Sequence, residues 1–124
     1  MAVPILKQGE VLIASIQAAL TDRDLEQLRD DLAERVGRFH SRGVIIDVMA
    51  IDVLDSFATR ALGSIARTAR LRGARAVVVG IQPKVAFGMV QLGLSLDGIA
   101  TALDLEEGLA HLGSLAKQGG HRAR

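Results

Sequence analysis

Apolar positions recur along this chain with two periods, and the switches between them outline the fold. Pro4-Ile5-Leu6-Lys7 and Val11-Leu12-Ile13-Ala14-Ser15-Ile16 are short β-type runs. Gln8-Gly9-Glu10 lies between them and reads as a tight hairpin turn. A helical period follows: Leu25, Leu28, Leu32 and Val36 recur at three and four residues and mark one buried face. Asp24, Arg29, Asp31, Glu34 and Arg35 fall largely on the other faces. Thr21 or Asp22 caps this helix, because a short side-chain oxygen accepts from the free N–H groups of the first turn. Phe39 closes it, and Ser41-Arg42-Gly43 breaks it.

The next run, Val44-Ile45-Ile46-Asp47-Val48, is apolar but for one acid, and Ala76-Val77-Val78-Val79 is a second of its kind, ending at Gly80. Continuous apolar runs suit strands buried on both faces, as in a parallel sheet. Between them, Ser56 to Leu71 predicts a helix with Ala58, Ala61, Leu62, Ile65 and Ala69 as its apolar stripe. Strand, helix, strand implies a right-handed crossover. Pro83 suits the first turn of a further helix, whose buried face is Val85, Met89, Val90 and Leu92 and whose stop is Gly93. A short strand is expected near Ile99-Ala100. A last helix runs from Asp104 or Leu105 to Leu115, with Leu105, Leu109, Leu112 and Leu115 inward. The expectation is one α/β domain over residues 1–116, with a mixed sheet and element order ββαβαβαβα. A basic, flexible tail is expected over 117–124.

Composition narrows the function. The chain has 124 residues, enough for one core, and is 49% apolar. Its 15 basic residues nearly balance 14 acidic ones, without the basic excess of a nucleic-acid binder. Phe39, Phe57 and Phe87 are its only aromatics, too few for a base-stacking platform. The absence of cysteine excludes disulfides and thiolate zinc sites. No apolar stretch approaches the roughly 20 residues of a bilayer span, and Met1-Ala2-Val3-Pro4 does not open a signal peptide. The expected location is cytoplasmic, with neither nucleic acid nor membrane as partner.

No reactive constellation emerges. His40, His111 and His121 have no ligand spacing that links them, so no metal is expected. Gly88 and Gly93 have the spacing of a phosphate loop without its Lys and Ser/Thr, so they read as helix packing and a helix stop. No catalytic residue and no cofactor are assigned. Asp47, Asp52 and Asp55 cluster near one strand end; paired acids serve acid/base work, but turns and helix caps use them more often. A nucleotide or small-ligand module is a further reading, because open α/β sheets bind ligands at strand C-termini, where Asp47 and the loop before Ser56 lie. No glycine-rich phosphate cradle stands there. Arg60, Arg67, Arg70, Arg72 and Arg75 form a basic patch that suits either a partner or a solvated helix face.

The segment Asp52-Val53-Leu54-Asp55-Ser56-Phe57-Ala58-Thr59-Arg60 leaves a buried strand and enters a helix. Asp55 or Ser56 caps that helix, and Phe57 anchors the turn. A phosphate on Ser56 would carry a charge of about −1.5 to −2. The helix N-terminus accommodates that charge. Arg60, one turn on, would pair with it, while Asp52 and Asp55 would deepen the negative patch.

Val44-Ile-Ile-Asp-Val and Ile51-Asp-Val-Leu-Asp-Ser56-Phe resemble the phosphorylation segment of STAS domains, the sulfate-transporter and anti-sigma-factor-antagonist family. Three other stretches share the resemblance: Val3-Pro-Ile-Leu-Lys with Val11-Leu-Ile-Ala-Ser-Ile-Gln17, Gly80-Ile-Gln-Pro83, and Thr101-Ala-Leu-Asp-Leu-Glu-Glu-Gly108. Within the family the pattern is most similar to the RsbS-type stressosome scaffolds. The resemblance implies the STAS fold and a non-catalytic scaffold that co-assembles with RsbR-type STAS proteins into a large hetero-oligomer. It also implies an RsbT-type serine/threonine kinase as partner, held by the scaffold and released when the kinase phosphorylates Ser56. The phosphosite surroundings and partner surface would be Asp47, Asp52, Asp55, Phe57, Thr59 and Arg60. The alternative is a simple STAS anti-sigma factor antagonist switched at the same serine. Related stressosome proteins often carry a Thr in the helix after the Gly-Ile-x-Pro stretch, where this chain has Gly88.

Overall fold

The computed structural model describes the backbone of residues 3–122 and the side chains of residues 3–115. The elements run β1 Ile5–Gln8, β2 Val11–Ser15, α1 Asp22–Phe39, β3 Gly43–Asp47, α2 Ser56–Leu71, β4 Arg75–Val79, α3 Pro83–Gln91, β5 Ala100–Ala102 and α4 Leu105–Arg122. This is the expected ββαβαβαβα order.

The strands form one sheet in the order β1-β2-β3-β4-β5. β1 is antiparallel to β2, with Ile5 opposite Ala14 and Gln8 opposite Val11; all later pairs are parallel. Gly9, at φ +59, lets the hairpin close in the left-handed region. Strands β2 to β5 are therefore added in one direction across the sheet. Right-handed crossovers then place α1, α2 and α3 on the same face. Leu12, Ala14, Val44, Ile46 and Val78 meet those helices through Leu28, Leu32, Val36, Leu62, Ile65, Val85 and Met89. The opposite face carries Ile13, Ile45, Val77 and Val79, which α4 covers with Leu112 and Leu109.

Thr21 caps α1 through a reciprocal box: Asp24 N donates to Thr21 Oγ1 at 3.1 Å, and Thr21 N donates to Asp24 Oδ2 at 3.1 Å. His40 ends α1 at φ 52, donating its N–H to the Val36 carbonyl. That is the αL cap position usually held by glycine.

Three expected core positions lie outside the core. Val90 and Leu92 are 74% and 66% exposed, and Leu105 is 36% exposed. α3 is only 9 residues long, so one stripe, Val85 and Met89, reaches the sheet. Val90 stands one residue off that stripe, and Leu92 follows the last helical turn. In α4 the contact is made instead by Gly108 and Leu112, one turn apart. α4 also continues past the expected end at Leu115; the tail expected over 117–124 falls on residues whose side chains lie outside those described. No helix among the described residues is long and apolar enough to cross a membrane.

The seating of α4 predicts opposite signs for one substitution. A Cβ on Gly108 would stand 2.7 Å from Val79 Cγ1, whereas one on Gly113 meets nothing within 4 Å. Gly113→Ala should stabilise by up to about 1 kcal/mol, through helix propensity. Gly108→Ala should destabilise by about 1–3 kcal/mol, because a β-branched core neighbour must move. Urea unfolding of the two variants checks this.

Candidate functional site

The C-terminal ends of β3 and β4 carry a connection whose backbone is held from several sides. β3 ends at Asp47, whose carboxylate Oδ1 accepts from Met49 N at 2.9 Å and closes a short turn. Val48 N donates to the Val79 carbonyl at 3.0 Å, and Ile51 N donates to the Val48 carbonyl at 3.0 Å. Val48, Ile51 and Leu54 point into the core, while Met49, Asp52, Val53 and Asp55 are exposed. The apolar residues thus anchor the loop at intervals of three, and the acids stay in water.

Asp55 is the N-cap of α2. Its Oδ1 accepts from Ala58 N at 2.8 Å, and its carbonyl accepts from Thr59 N at 2.9 Å and Thr59 Oγ1 at 2.8 Å. Of the two expected capping residues, Asp55 fills the role. Ser56, the first helical residue, is left exposed at the positive end of the helix dipole. Thr59 is 6% exposed and its hydroxyl donates to the Asp55 carbonyl, so it serves the cap. Phe57 is half-buried against α1, where Leu25 and Glu26 share a small groove with Arg60. Arg60 is exposed and stands one turn beyond Ser56.

The structure therefore brings Asp47, Asp52, Asp55 and Ser56 to one end of the sheet. Phe57 and Arg60 border that end, and Thr59 lies beneath it. Among the described residues no group of three His, Asp or Glu side chains is placed to hold a metal ion. His40 serves the α1 cap, His111 is exposed on α4, and the His121 side chain lies outside the described residues.

Two residues of the site escaped sequence reasoning. The Gln82 side-chain amide donates to the Met49 carbonyl and, at 3.5 Å, to the Ile51 carbonyl. Lys84 Nζ lies 3.1 Å from Asp52 Oδ1. Both tie the start of α3 to the loop before Ser56. Gly80 makes that approach possible: it has φ +81, and a Cβ there would stand 3.0 Å from Met49 Cβ. The local signal was the Gly80-Ile81-Gln82-Pro83 stretch, given above as a strand end, a first helical turn at Pro83 and part of the family resemblance, not as a tie to the loop.

Comparison with known proteins places this geometry. Residues 2–108 match the model of the STAS domain. A solved Moorella thermoacetica RsbS, in a form with one serine replaced by glutamate, is similar at 38% identity and TM-score 0.78. The match covers 93% of this chain and 97% of that one. A chain of the stressosome, described as a signal integration and transduction hub, is 39% identical with TM-score 0.74, over 91% of this chain and 98% of that chain. The RsbT co-antagonist protein RsbRA of Bacillus subtilis is 27% identical over 84 residues, which is 68% of this chain and 31% of that protein. The chain thus spans about a third of RsbRA. The anti-sigma factor antagonist SpoIIAA shares the fold at 14% identity and TM-score 0.64, over 88% of this chain and 94% of that one.

Two acids of the loop should respond differently to removal. Asp55→Ala loses a cap and should cost about 0.5–2 kcal/mol. Asp52→Ala breaks only an exposed pair and should stay within about 0.5 kcal/mol of the parent chain. Chemical denaturation of both variants measures the difference.

Proposed function

The chain belongs to the STAS-domain family, and from that premise we propose that it is a non-catalytic stressosome scaffold of the RsbS type, controlled by phosphorylation of Ser56. It holds an RsbT-type serine/threonine kinase in its unphosphorylated form. It co-assembles with RsbR-type STAS proteins. Phosphate on Ser56 releases the kinase to act elsewhere.

The observation that carries this reading is the likeness to RsbS across nearly the whole chain, at 38% identity, together with an exposed serine at the first position of α2. The glutamate-substituted form of that relative fits the same idea, since glutamate carries the negative charge that phosphate would bring. The physics suits a switch. The Ser56 hydroxyl is in water, so a kinase reaches it without unfolding the loop. Asp55, not Ser56, caps α2, so modification leaves the cap in place. The added charge sits where the helix dipole favours it. The fold is kept while the surface over Ser56 becomes strongly acidic and bulkier, which expels a partner packed there.

A simple anti-sigma factor antagonist would use the same serine. The 38–39% identity to RsbS and a stressosome chain, against 14% to SpoIIAA, favours the scaffold.

Incubation with an RsbT-type kinase and Mg-ATP should add a single phosphate, mapped to Ser56 by mass spectrometry and lost in Ser56→Ala. Ser56→Glu should weaken kinase capture by about tenfold or more in calorimetry, in line with a like-charge surface opposing a docked partner. Phosphate elsewhere, or equal affinity of Ser56→Glu and the parent chain, would overturn the switch.

A further inference from the structure

β5 is too short to cover β4. It pairs with Val77, Val78 and Val79 only, so Arg75 and Ala76 have no strand beside them on that edge. The gap opens a groove of about 370 Å³ between the ends of α2 and α4. Its apolar floor includes Ala66, Ala76, Val77 and Ile99, and Arg67, Arg70 and Arg75 stand around it. All three arginines are exposed, and none has an ion-pair partner among the described residues. His111 and a single acid, Asp97, are the other titratable residues of the lining, so the groove keeps an excess of positive charge.

The other end of the same strand has the opposite character. Leu103-Asp104-Leu105-Glu106-Glu107 follows β5 directly. Leu103 is 78% exposed and Leu105 36% exposed, and the three acids between and beyond them are exposed too. Asp104 Oδ1 accepts from Glu107 N at 2.9 Å, which holds the segment in one shape as the first turn of α4. Its acids help start that helix, and they also leave an acidic, apolar ridge on the surface.

We propose that the groove is the docking site for a second copy of this chain, joined head to tail, with the Leu103–Glu107 ridge of one copy seated against Arg67, Arg70 and Arg75 of the next. Leucine meets the apolar floor, and carboxylates meet guanidinium forks, which bind them in paired hydrogen bonds. The groove precedes β5 and the ridge follows it, along one open sheet edge. A displacement along the strand direction therefore brings them together. The two surfaces differ, so the contact is heterologous and extends into a ring or a longer array rather than closing a two-fold dimer. This deepens the scaffold reading and rests on it for its purpose, but it does not involve Ser56.

Sedimentation velocity of the full chain at rising concentration tests the contact, with two charge-reversed variants. One is Arg67→Glu/Arg70→Glu/Arg75→Glu, and the other is Glu106→Lys/Glu107→Lys. The parent chain should self-associate, less so in high salt. Each variant alone should associate about tenfold more weakly or worse. Mixed in equal amounts, the variants present matched surfaces in both directions, and association should return. Recovery on mixing also shows that both variants are folded. The proposal is overturned if the parent chain stays monomeric to about 1 mM, if a single variant associates like the parent, or if the mixture behaves as its separate components. Failure of the scaffold reading looks different: Ser56 takes no phosphate from the kinase while self-association persists.

Discussion

A strand buried on both faces must find a ladder partner on each edge and a packed layer above and below, because no water reaches its backbone. β3 is that strand here. Val44, Ile45 and Ile46 are wholly buried, the first and last against α1 and α2 and the middle one against α4. Its ladders to β2 and β4 are both parallel. Parallel neighbours need crossovers, crossovers need helices, and the right-handed rule puts three of those helices on one side. Only α4, the one helix that does not join two strands of this sheet among the described residues, is free to cover the other. The close seating of Gly43 under Leu112 and of Gly108 over Val79 shows how tightly that second layer is pressed on.

The same constraint makes the site. Parallel strands release their chains at one end, so the connections after β3, β4 and β5 gather there. Asp47, the one acid of the β3 run, sits where the strand leaves the core, and it turns the chain rather than being buried. The loop to α2 is then fastened by buried apolar residues below and by Gln82 and Lys84 from the neighbouring connection. A fixed loop with an exposed serine and a separate capping acid separates two tasks that one residue often shares. Asp55 stabilises the helix start, and Ser56 remains open to chemistry. Under the proposed switch, phosphate on such a site would change the surface charge while leaving the cap, and with it the fold, in place.

Charge is also divided along the strand axis. Acids collect where strands end, at Asp52, Asp55, Asp104, Glu106 and Glu107, and arginines collect where they begin, at Arg42 and Arg75, with Arg70 and Arg72 at the end of α2. Part of this is helix electrostatics: acids favour the first turns and bases the last. A nearly neutral chain therefore presents two ends of opposite sign, and total charge conceals that property.

Much of this was legible in order along the chain. The apolar runs at 44–48 and 76–79, the helical stripes and the Thr21 cap each report a local period or a local hydrogen bond, so element order and the two-sided burial of the sheet follow from sequence alone. Ser56 at a helix start was legible for the same reason, since caps are local. What only the tertiary structure decided are matters of contact between distant segments. That Val90, Leu92 and Leu105 face water depends on how far α3 and α4 reach across the sheet. That Gly108 carries a core contact depends on the closeness of β4, and a side chain of no size leaves no apolar signal. Gln82 and Lys84 reach the Ser56 loop because β3 and β4 lie side by side. The groove beside Arg75 exists because β5 begins two residues too late to cover it. Local periods are written in the chain; the ends at which separate elements meet are set by the sheet that holds them.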